Sequence, residues 1–327
     1  MRVAVVGAGI FGCTAAIELA AAGHRVELFE RHRDLLMGAS QCNQGRLHSG
    51  YHYPRSSQTA ILTADCAPSF VGRYPGAIDH HYDHYYAIAR EDSLTSATEY
   101  LAFCDALDLE YTIESPGVLD CEAVQLCIRT PEGLINIERL RSILRDELTY
   151  SPIDVHLSTQ ATPEMLADHD LVVDATYGHW QQSAPLQWEV CEIAVVQLPR
   201  EFAGVSLVVL DGDFFSLDPI PATDTFRLYH VRHSVHHANV GLTPDKTRLI
   251  STNYPSMLQS ARQFLPALSG ARYLKSEVTV RAVLPGVEAT DERPTSVTRS
   301  GNTISIFSGK IDTAVRAAEE VVALAAS

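Results

Sequence analysis

The chain has 327 residues, of which 46% are hydrophobic and 20% charged, a composition typical of a globular protein rather than a disordered or fibrous one. Its 25 Lys and Arg residues against 40 Asp and Glu give a formal net charge of −15. This acidic balance argues against nucleic acids and anionic membranes as partners, because both attract a basic surface. The length predicts two domains, at roughly 150 residues per domain.

The seven cysteines are odd in number, widely spaced and include no Cys-x-x-Cys pair, which argues against a disulfide framework or a zinc cluster. No apolar run reaches the ~18 residues that a membrane-spanning helix needs. Residues 1–7 lead directly into a strand pattern, without the ordered charged, apolar and cleavage regions of a signal peptide. We therefore expect a cytoplasmic protein in a reducing environment.

The first thirty residues predict a strand, a glycine turn, a helix and a second strand. Residues 3–6 form a short β-branched run, which is typical of a buried parallel strand. Residues 13–22 are strong helix formers, and residues 25–30 alternate as a second strand that ends in an acidic side chain. This is the order of elements in a dinucleotide-binding βαβ unit.

Each glycine of the turn has a physical role. Gly7 allows the tight turn, Gly9 lets the backbone approach a pyrophosphate, and Gly12 lets helix and strand pack closely. The helix N-terminus offers unpaired N–H groups to phosphates, and Glu30 can accept the ribose hydroxyls. The unit does not by itself distinguish FAD from NAD. The residues expected to contact the cofactor here are Gly7, Gly9, Ile10, Phe11, Gly12, Glu30 and Arg31.

The following segment, residues 38–56, favours FAD over NAD. It is rich in small and polar residues and therefore predicts a loop. Small residues let the backbone come close to a flat ring, while its Asn, His, Tyr and Arg side chains supply donors and an aromatic wall. An NAD-dependent dehydrogenase would usually continue here with another strand and helix.

The loop carries Asn43-Gln44-Gly45 and then His48-Ser49-Gly50-Tyr51. This pattern resembles the D-amino-acid-oxidase-like superfamily of FAD-dependent oxidoreductases, closest to the branch of L-2-hydroxyglutarate and glycerol-3-phosphate dehydrogenases. The resemblance implies that the loop lies along the pyrophosphate and the isoalloxazine ring. The implied contacts come from Ser40, Asn43, Gly45, Arg46, Leu47 and His48.

Two later segments are similar to the same family. Residues 170–178 predict a buried strand ending in Ala-Thr-Tyr-Gly, like the family strand that flanks FAD, and residues 155–157 would then form the strand beside the adenine. Residues 301–316 predict a strand, a glycine turn and a final helix, like the family's last FAD-contacting turn, with Arg293-Pro294 just upstream. The cofactor contacts implied by these two matches are Thr176, Gly178, Gly309, Lys310, Ile311 and Asp312.

We therefore expect an α/β fold, with a Rossmann-like FAD-binding domain and an inserted α+β substrate domain built on an antiparallel sheet. The FAD-binding domain is expected from residues 1–50, 137–184 and 284–327, and the substrate domain from residues 51–136 and 185–283. Helices are expected at residues 93–107 and 137–148, and strands of the substrate domain at residues 190–198, 205–210 and 225–231.

The resemblance implies oxidation of a CH–NH or CH–OH carbon of a small polar, anionic substrate by hydride transfer to flavin N5. Residues that can handle a proton beside the flavin are His48, Tyr51, His52 and Tyr53, and histidine is favoured because its pKa lies near neutrality. We expect a mixed basic and aromatic wall for the substrate, formed by Arg55, Arg227, Tyr229 and Arg232. Tyr229 and Arg232 are expected on one strand that extends to His237. Because no Cys occupies the final turn, we expect the FAD to be bound non-covalently.

Two other functions stay open at this point: an NAD-dependent dehydrogenase using the same βαβ unit, and a non-catalytic flavin-binding subunit. A flavin disulfide reductase is disfavoured, because a second glycine motif and a redox Cys pair are absent. The histidine-rich stretches at residues 79–86 and 230–237 lack a recognised metal-ligand spacing, so no metal is expected.

Overall fold

The structure is a computed structural model, which describes residues 1–180, 185–241, 251–287, 290 and 292–327. Residues 181–184, 242–250, 288–289 and 291, which fall within the expected domain ranges, lie outside the described residues. No helix in the described part of the chain is long and apolar enough to cross a membrane.

The strands in chain order are β1 (Arg2–Val6), β2 (Arg25–Phe29), β3 (Arg46–Leu47), β4 (Ile78–Asp79), β5 (Asp83–Ala89), β6 (Thr112–Ile113), β7 (Val124–Thr130), β8 (Gly133–Ile135), β9 (Ile153–His156), β10 (Leu171–Asp174), β11 (Gln187–Gln197), β12 (Val205–Leu210), β13 (Phe215–Pro219), β14 (Thr225–His230), β15 (Val235–Val240), β16 (Arg272–Val283), β17 (Ser296–Ser300) and β18 (Thr303–Phe307). The helices are α1 (Ile10–Ala21), α2 (Ser57–Arg73), α3 (Ala97–Ala106), α4 (Ile137–Tyr150), α5 (Pro163–Leu166), α6 (Tyr254–Ala261) and α7 (Ala314–Ala325).

The first sheet has the strand order β17-β18-β10-β1-β2-β9, and its strands are parallel except for β17, which is antiparallel to β18. Its central strands are short and apolar because they are buried between layers. Helices α1 and α7 pack together against it. Since parallel strands share one edge for their carboxyl ends, β1, β10 and β18 place the residues that follow them side by side.

The second sheet is built around β5, β7 and β11–β16, and its pairs are antiparallel apart from β5 with β12. Strand β16 pairs with β11 along its whole length, while β14 and β15 pair with different halves of β11. One face is apolar and packs against α6 through side chains such as Phe226, Met257 and Leu265. The mixed parallel and antiparallel architecture confirms the expected α/β fold class.

Helix α2 packs with the first unit, although the sequence-based boundary after residue 50 assigned it to the substrate domain. Phe70 is fully buried in the core that also contains Leu140 and Val321. The Tyr74 hydroxyl, just after the helix, lies 2.8 Å from the hydroxyl of Thr14 in α1. The two cores therefore do not separate at residue 50. The helix was not expected from the sequence, because Pro68 interrupts its interior pattern.

Two expected elements have different bounds in the structure. The helix expected at residues 93–107 begins only at Ala97, because Ser96 and Glu99 form a capping box that fixes its start. The prediction of one strand that continues from Tyr229 to His237 is wrong, because β14 ends at His230. The chain then turns, with the His230 N–H donating to the Ser234 hydroxyl at 3.0 Å, before β15 begins.

We expect Phe70→Ala to lower the free energy of unfolding by about 3–5 kcal/mol, the usual cost of truncating a fully buried aromatic side chain. The control is Ile61→Ala on the same helix, where the side chain is 46% exposed and little apolar contact is lost. Urea denaturation of both variants measures the difference. Equal losses would contradict the packing of α2 into the first core.

Candidate functional site

A cavity of about 960 Å³ opens at the carboxyl ends of the central parallel strands. Its floor comes from residues that follow β1, β10 and β18, and its opposite wall comes from β11, β14 and β16 of the second sheet. In open α/β sheets, ligands bind in this crevice at the carboxyl ends of strands. The cavity is therefore formed jointly by the two sheets.

The glycine turn between β1 and α1 brings backbone to the cavity floor. Gly7 has φ +100°, and a Cβ there would lie 2.7 Å from the Ala175 carbonyl oxygen. A Cβ on Gly12 would lie 1.8 Å from the Gly7 carbonyl oxygen, so this glycine serves close packing and does not line the cavity. Gly9 lines the cavity, beside the Ile10 N–H that donates to the Ser40 hydroxyl at 3.1 Å.

Glu30 lies at the end of β2, is 7% exposed and lines the cavity. Its carboxylate accepts the Ala8 N–H at 2.7 Å and the His32 N–H at 2.8 Å, which fixes its orientation. Each carboxylate oxygen keeps a second lone pair, so the group can still accept hydroxyl donors from a ligand. At this end, the cavity is also lined by Phe11, Phe29, Arg31, Thr159, Gln160, Ala161 and Trp180.

The segment expected beside an adenine is strand β9, which pairs with β2 in the first sheet. The His156 ring of β9 stacks on Phe29, with ring centroids 4.7 Å apart. The cavity lining, however, comes from residues 159–161 in the loop after β9 rather than from the strand itself.

The loop before β3 is shaped by its own polar groups. The Asn43 side chain accepts the Gly45 N–H at 2.7 Å and donates to the Ser40 carbonyl oxygen at 2.7 Å, and Gly45 has φ +78°. Asn43 and Gly45 both line the cavity, whereas Leu47 is buried in the first core. The loop therefore presents mostly backbone and small side chains to a ligand.

Arg46 lines the cavity but directs its guanidinium into the second sheet. Its Nε donates to Asp218 at 2.8 Å, Nη2 donates to the Ser206 hydroxyl at 2.8 Å, and Nη1 donates to Glu132 at 3.1 Å. Only 1% of the side chain is exposed. The guanidinium thus fastens the loop to the antiparallel sheet.

The buried His48 and the half-buried Lys310 form a basic pair at the end of the cavity away from Glu30. The Lys310 Nζ lies 3.5 Å from His48 Nε2 and 4.5 Å from the centre of the Tyr53 ring. Burial, reinforced by the Lys310 charge, lowers the pKa of His48 well below its usual range, and burial also lowers the pKa of Lys310. The pair can therefore hold or lose a proton near neutral pH, which lysine alone in water does not.

Asp312 lies two residues after Lys310, outside the cavity lining but fully buried. Neither of its carboxylate oxygens has a hydrogen-bond partner within the described part of the chain, and burial raises its pKa, opposed by the positive charge of Lys310. Ile311 lines the cavity beside Lys310. The turn thus places a coupled acid and base beside the cavity.

The other residues expected to handle a proton lie behind this pair. Tyr51 donates its hydroxyl to the Glu110 carbonyl oxygen at 2.6 Å and packs in a separate cluster beneath the second sheet. The His52 ring lies 4.9 Å from the His48 ring, and Tyr53 contacts Lys310. Of the four residues, His48 lines the cavity and Tyr51, His52 and Tyr53 do not.

The three arginines expected to bind the substrate are engaged elsewhere. Arg55 pairs with Asp211 at 2.6 Å, and Arg227 pairs with Glu277 at 3.3 Å. Arg232 lies in the turn after β14 with 74% of its side chain exposed, 3.8 Å from Asp213. These three side chains lie outside the cavity lining, whereas Tyr229 of the same expected set lines it.

The cavity wall contains an arginine that the sequence interpretation did not single out. Arg281 of β16 lines the cavity, with 30% of its side chain exposed. Its Nε and Nη2 donate to the Glu189 carboxylate at 2.9 Å and 2.5 Å. The strand pattern of β16 was not recognised, because its first half is polar on both faces and gives no clean alternation.

The later glycine positions have separate roles. A Cβ on Gly309 would lie 2.1 Å from the Arg293 carbonyl oxygen, so only glycine allows this turn to pack against residues 293–294. Thr176 donates its hydroxyl to Asp174 at 2.6 Å and lines the cavity. Gly178, at φ +80°, packs against Leu186 outside the cavity lining.

The residues present fit an FAD. The cavity volume lies within the range of about 300–1,000 Å³ that is usual for cofactor sites. Glycine backbone and a helix N-terminus lie at its floor, Glu30 lies at one end, and the His48–Lys310 pair lies at the other. No described residue is a hydrogen-bond partner of the buried Nδ1 of His48, and this atom can therefore bind a group held in the cavity. Among the described residues, no group of three or more His, Cys, Asp or Glu side chains could hold a metal ion.

Comparisons with curated proteins give full-length similarity to fungal flavoproteins. The chain is 31% identical to FAD-dependent monooxygenase FPY4 of Fusarium mangiferae, over 98% of this chain and 90% of that protein. It is 28% identical to FAD-dependent monooxygenase kojA of Aspergillus flavus, over 99% of this chain and 85% of that protein.

Solved structures share the fold at low sequence identity. Glycine oxidase from Geobacillus kaustophilus matches with a TM-score of 0.72 at 15% identity, covering 99% of this chain and 94% of that one. L-proline dehydrogenase from P. horikoshii matches with 0.75 at 13% identity, covering 99% and 92%. L-alpha-glycerophosphate oxidase from Mycoplasma pneumoniae matches with 0.74 at 14% identity, covering 100% and 94%.

The family model described as DAO, FAD dependent oxidoreductase, matches residues 2–296, which is most of the chain. That match covers the loop at residues 38–56 and the strand at residues 170–178, in agreement with their resemblance to this family, and it decides for FAD over NAD. The chain belongs to the DAO family of FAD-dependent oxidoreductases.

Proposed function

We propose that the protein oxidises a CH–NH or CH–OH carbon of a small anionic substrate. The observation that carries the proposal is that Arg281 and the His48–Lys310 pair line the same cavity as the glycine turn. Bound FAD supplies the redox chemistry, as acceptor of the electron pair of the substrate C–H bond. The protein then has to hold an anion, orient one carbon and remove one proton.

Arg281 is the group that we assign to the substrate anion. Its contact with Glu189 uses Nε and Nη2, which leaves Nη1 available to a carboxylate. Glu189 holds the guanidinium in place, and the cavity-lining Tyr229 adds an aromatic surface beside it. Guanidinium–carboxylate contacts are charge-assisted and directional, so Arg281 would fix both the position and the orientation of the substrate.

The His48–Lys310 pair is the group that we assign to the substrate proton. His48 is buried and Lys310 is half-buried, and the loss of solvent contact lowers the pKa values of both. An unprotonated member of the pair can accept the N–H or O–H proton as the substrate is oxidised. Asp312, which is coupled to Lys310, then balances the added charge.

Non-covalent FAD is part of the same proposal. The Cys42 thiol lines the cavity, but burial raises its pKa to about 12, which keeps it from acting as a thiolate nucleophile. Ser308 lies in the final turn and Ser305 in β18 just before it, and neither offers a thiol. Acid precipitation of the purified protein should therefore release the FAD into the supernatant.

Oxygen insertion is a second candidate, favoured by the 31% identity with a protein named as a monooxygenase. The branch of L-2-hydroxyglutarate and glycerol-3-phosphate dehydrogenases is a further option for the substrate class. Solved structures of amine- and alcohol-oxidising proteins match with similar TM-scores, so they support the fold without favouring one branch.

An anaerobic screen of amino acids, 2-hydroxy acids and glycerol phosphates, followed at the oxidised-flavin absorbance band, tests the proposal. Bleaching by an anionic member supports it, and bleaching by none would favour the non-catalytic flavin-binding alternative. With ¹⁸O₂, label in the organic product would identify a monooxygenase, and label only in hydrogen peroxide would identify an oxidase.

Arg281→Gln should weaken binding of a carboxylate to the oxidised holoenzyme by tenfold or more, since a charge-assisted contact contributes about 1.5–3 kcal/mol. The shift of the flavin spectrum on titration with benzoate measures this affinity. Arg232→Gln is the matched control, because that side chain is largely exposed outside the cavity. Unchanged benzoate affinity in Arg281→Gln would exclude Arg281 as the anion site.

The rate of flavin reduction should rise with pH along a limb whose midpoint lies below 10.5, the ordinary value for lysine, because burial lowers the pKa of Lys310. The unprotonated form is the proton acceptor, so the rate follows its fraction upward. Stopped-flow reduction by the substrate found in the screen measures the profile. In Lys310→Met the limb should disappear, and a limb that persists unchanged would assign the proton to another group.

A further inference from the structure

The second sheet carries a row of buried polar side chains on the face toward Arg46. Asp218 of β13 contacts Ser206 of β12 with 2.7 Å between the carboxylate and hydroxyl oxygens. Ser206 is the register partner of His84 in β5, and His84 is the register partner of Thr130 in β7. Register partners share one face of a sheet. The row therefore crosses four neighbouring strands.

This row is buried but not satisfied by protein groups. Asp218, Ser206 and His84 are 0% exposed and Thr130 is 7% exposed. Among the described residues, none is a hydrogen-bond partner of Asp218 Oδ2, of either ring nitrogen of His84 or of Thr130 Oγ1. Leaving a buried polar atom without a partner is unfavourable, so such atoms normally bind ordered water.

The chemistry of the row suits water. Burial, reinforced by the charges of Arg46 and His80, lowers the pKa of His84 well below its usual range. A neutral imidazole has one donor and one acceptor nitrogen, so it can pass a hydrogen bond from one water to the next. The hydroxyls of Ser206 and Thr130 have the same double character.

The inner end of the row approaches the cavity at Arg46 and Glu132. Arg46 lines the cavity, and its guanidinium is directed away from it toward two carboxylates, Asp218 and Glu132. Glu132 also accepts the N–H of Ser49, the residue next to His48, at 2.8 Å. Burial raises the pKa of Glu132, so this carboxyl can take up a proton closer to neutral pH than an exposed one. The pKa of Asp312, the buried carboxyl two residues after Lys310, is raised mainly by burial and also by the charge of Glu132, so Glu132 is a titratable group near the His48–Lys310 pair.

The outer end of the row reaches the surface at His80. His80 is exposed, and its charge acts on His84. A Cβ on Gly133 would lie 3.1 Å from the His80 ring, so this ring packs directly on the residue after Glu132. The absence of a side chain at Gly133 leaves room for the His80 ring, whose charge acts on His84 within the row.

We propose that the row of Asp218, Ser206, His84 and Thr130 holds a chain of internal waters that conducts protons between the cofactor cavity and His80. The physiological need for it rests on the proposed function. Oxidation of a CH–XH group removes two electrons and two protons; the electron pair and one proton go to FAD, and the other proton goes to solvent. The row supplies the route for that proton, and for the proton of reduced FAD when FAD is reoxidised.

The first test is a high-resolution crystal structure of the FAD-loaded protein. Ordered waters within hydrogen-bonding distance of the His84 ring nitrogens and of Asp218 Oδ2 are expected. The absence of ordered water at these atoms in that crystal structure would overturn the proposal, whichever substrate the protein uses.

The second test follows proton release without any substrate. The holoenzyme is photoreduced anaerobically, freed of reductant and mixed with ferricyanide in weakly buffered phenol red. Two ferricyanide ions remove two electrons from each reduced FAD and take up no proton, so the proton of FAD must reach the solution. In the parent protein, dye response and flavin absorbance should change together.

Thr130→Val removes one hydroxyl of the row with little change of shape, and His84→Phe removes both ring nitrogens. In either variant, proton release should slow by about tenfold or more, on the scale of removing a proton-transfer group. The control is Thr63→Val in α2, a buried hydroxyl bonded within its own helix. If His84→Phe does not fold, Thr130→Val still decides. Proton release at the parent rate in Thr130→Val would overturn the proposal. This result does not depend on the substrate screen, even if no compound in that screen reduces the flavin.

Discussion

The buried guanidinium of Arg46 connects the loop before β3 to the second sheet. Arg46 follows the loop that lines the cavity, and its three donor positions bind Asp218, Ser206 and Glu132 in the other unit. Its charge also lies over the ring of Tyr86, 4.8 Å from the centroid. Loss of one partner from a buried ion pair costs about 3–5 kcal/mol, because the other charge stays desolvated. The position of the loop over the cavity, and so of His48, depends on this contact.

The same contact sets the electrostatics of the cavity. A single positive charge serves two carboxylates, and burial raises the pKa of Glu132. The two carboxylates that share Arg46 lie behind the cavity, while Arg281, Lys310 and the neutral His48 lie at its wall. At the end of the cavity away from Glu30, an anionic ligand therefore meets basic side chains, and the loop holds the two carboxylates that pair with Arg46 apart from it.

Much of the first unit could be predicted from the sequence, because its signals are local. The glycine turn, Glu30 and the turn at Gly309 each depend on a backbone requirement that only a few residue types satisfy. Helix α2 could not be predicted, because Pro68 obscures its pattern and its packing depends on a distant core. Strand β16 was missed for a similar reason, since its burial comes from pairing with β11 rather than from its own alternation.

The roles of the arginine side chains were harder to predict, because each role depends on which carboxylate, distant in the sequence, the arginine pairs with. Arg55 and Arg227 look free in the sequence, but their partners Asp211 and Glu277 lie 156 and 50 residues further on. Arg281 pairs with Glu189, which is 92 residues before it, and only the pairing of β11 with β16 brings the two side chains together. Pairs of residues so far apart in the sequence cannot be predicted from local composition.

The first unit is made from both ends of the chain. Strand β1 begins at Arg2, its neighbour β10 pairs with β18, and α7 packs on α1. The glycine turn and Gly309, which lie on one cavity, are thus separated by almost the whole sequence. During synthesis the ribosome releases strand β1 long before β18 emerges, so the cofactor pocket can close only after β18 has been made. Contacts of such long sequence separation form slowly, which leaves the edges of the half-built parallel sheet unpaired in the meantime.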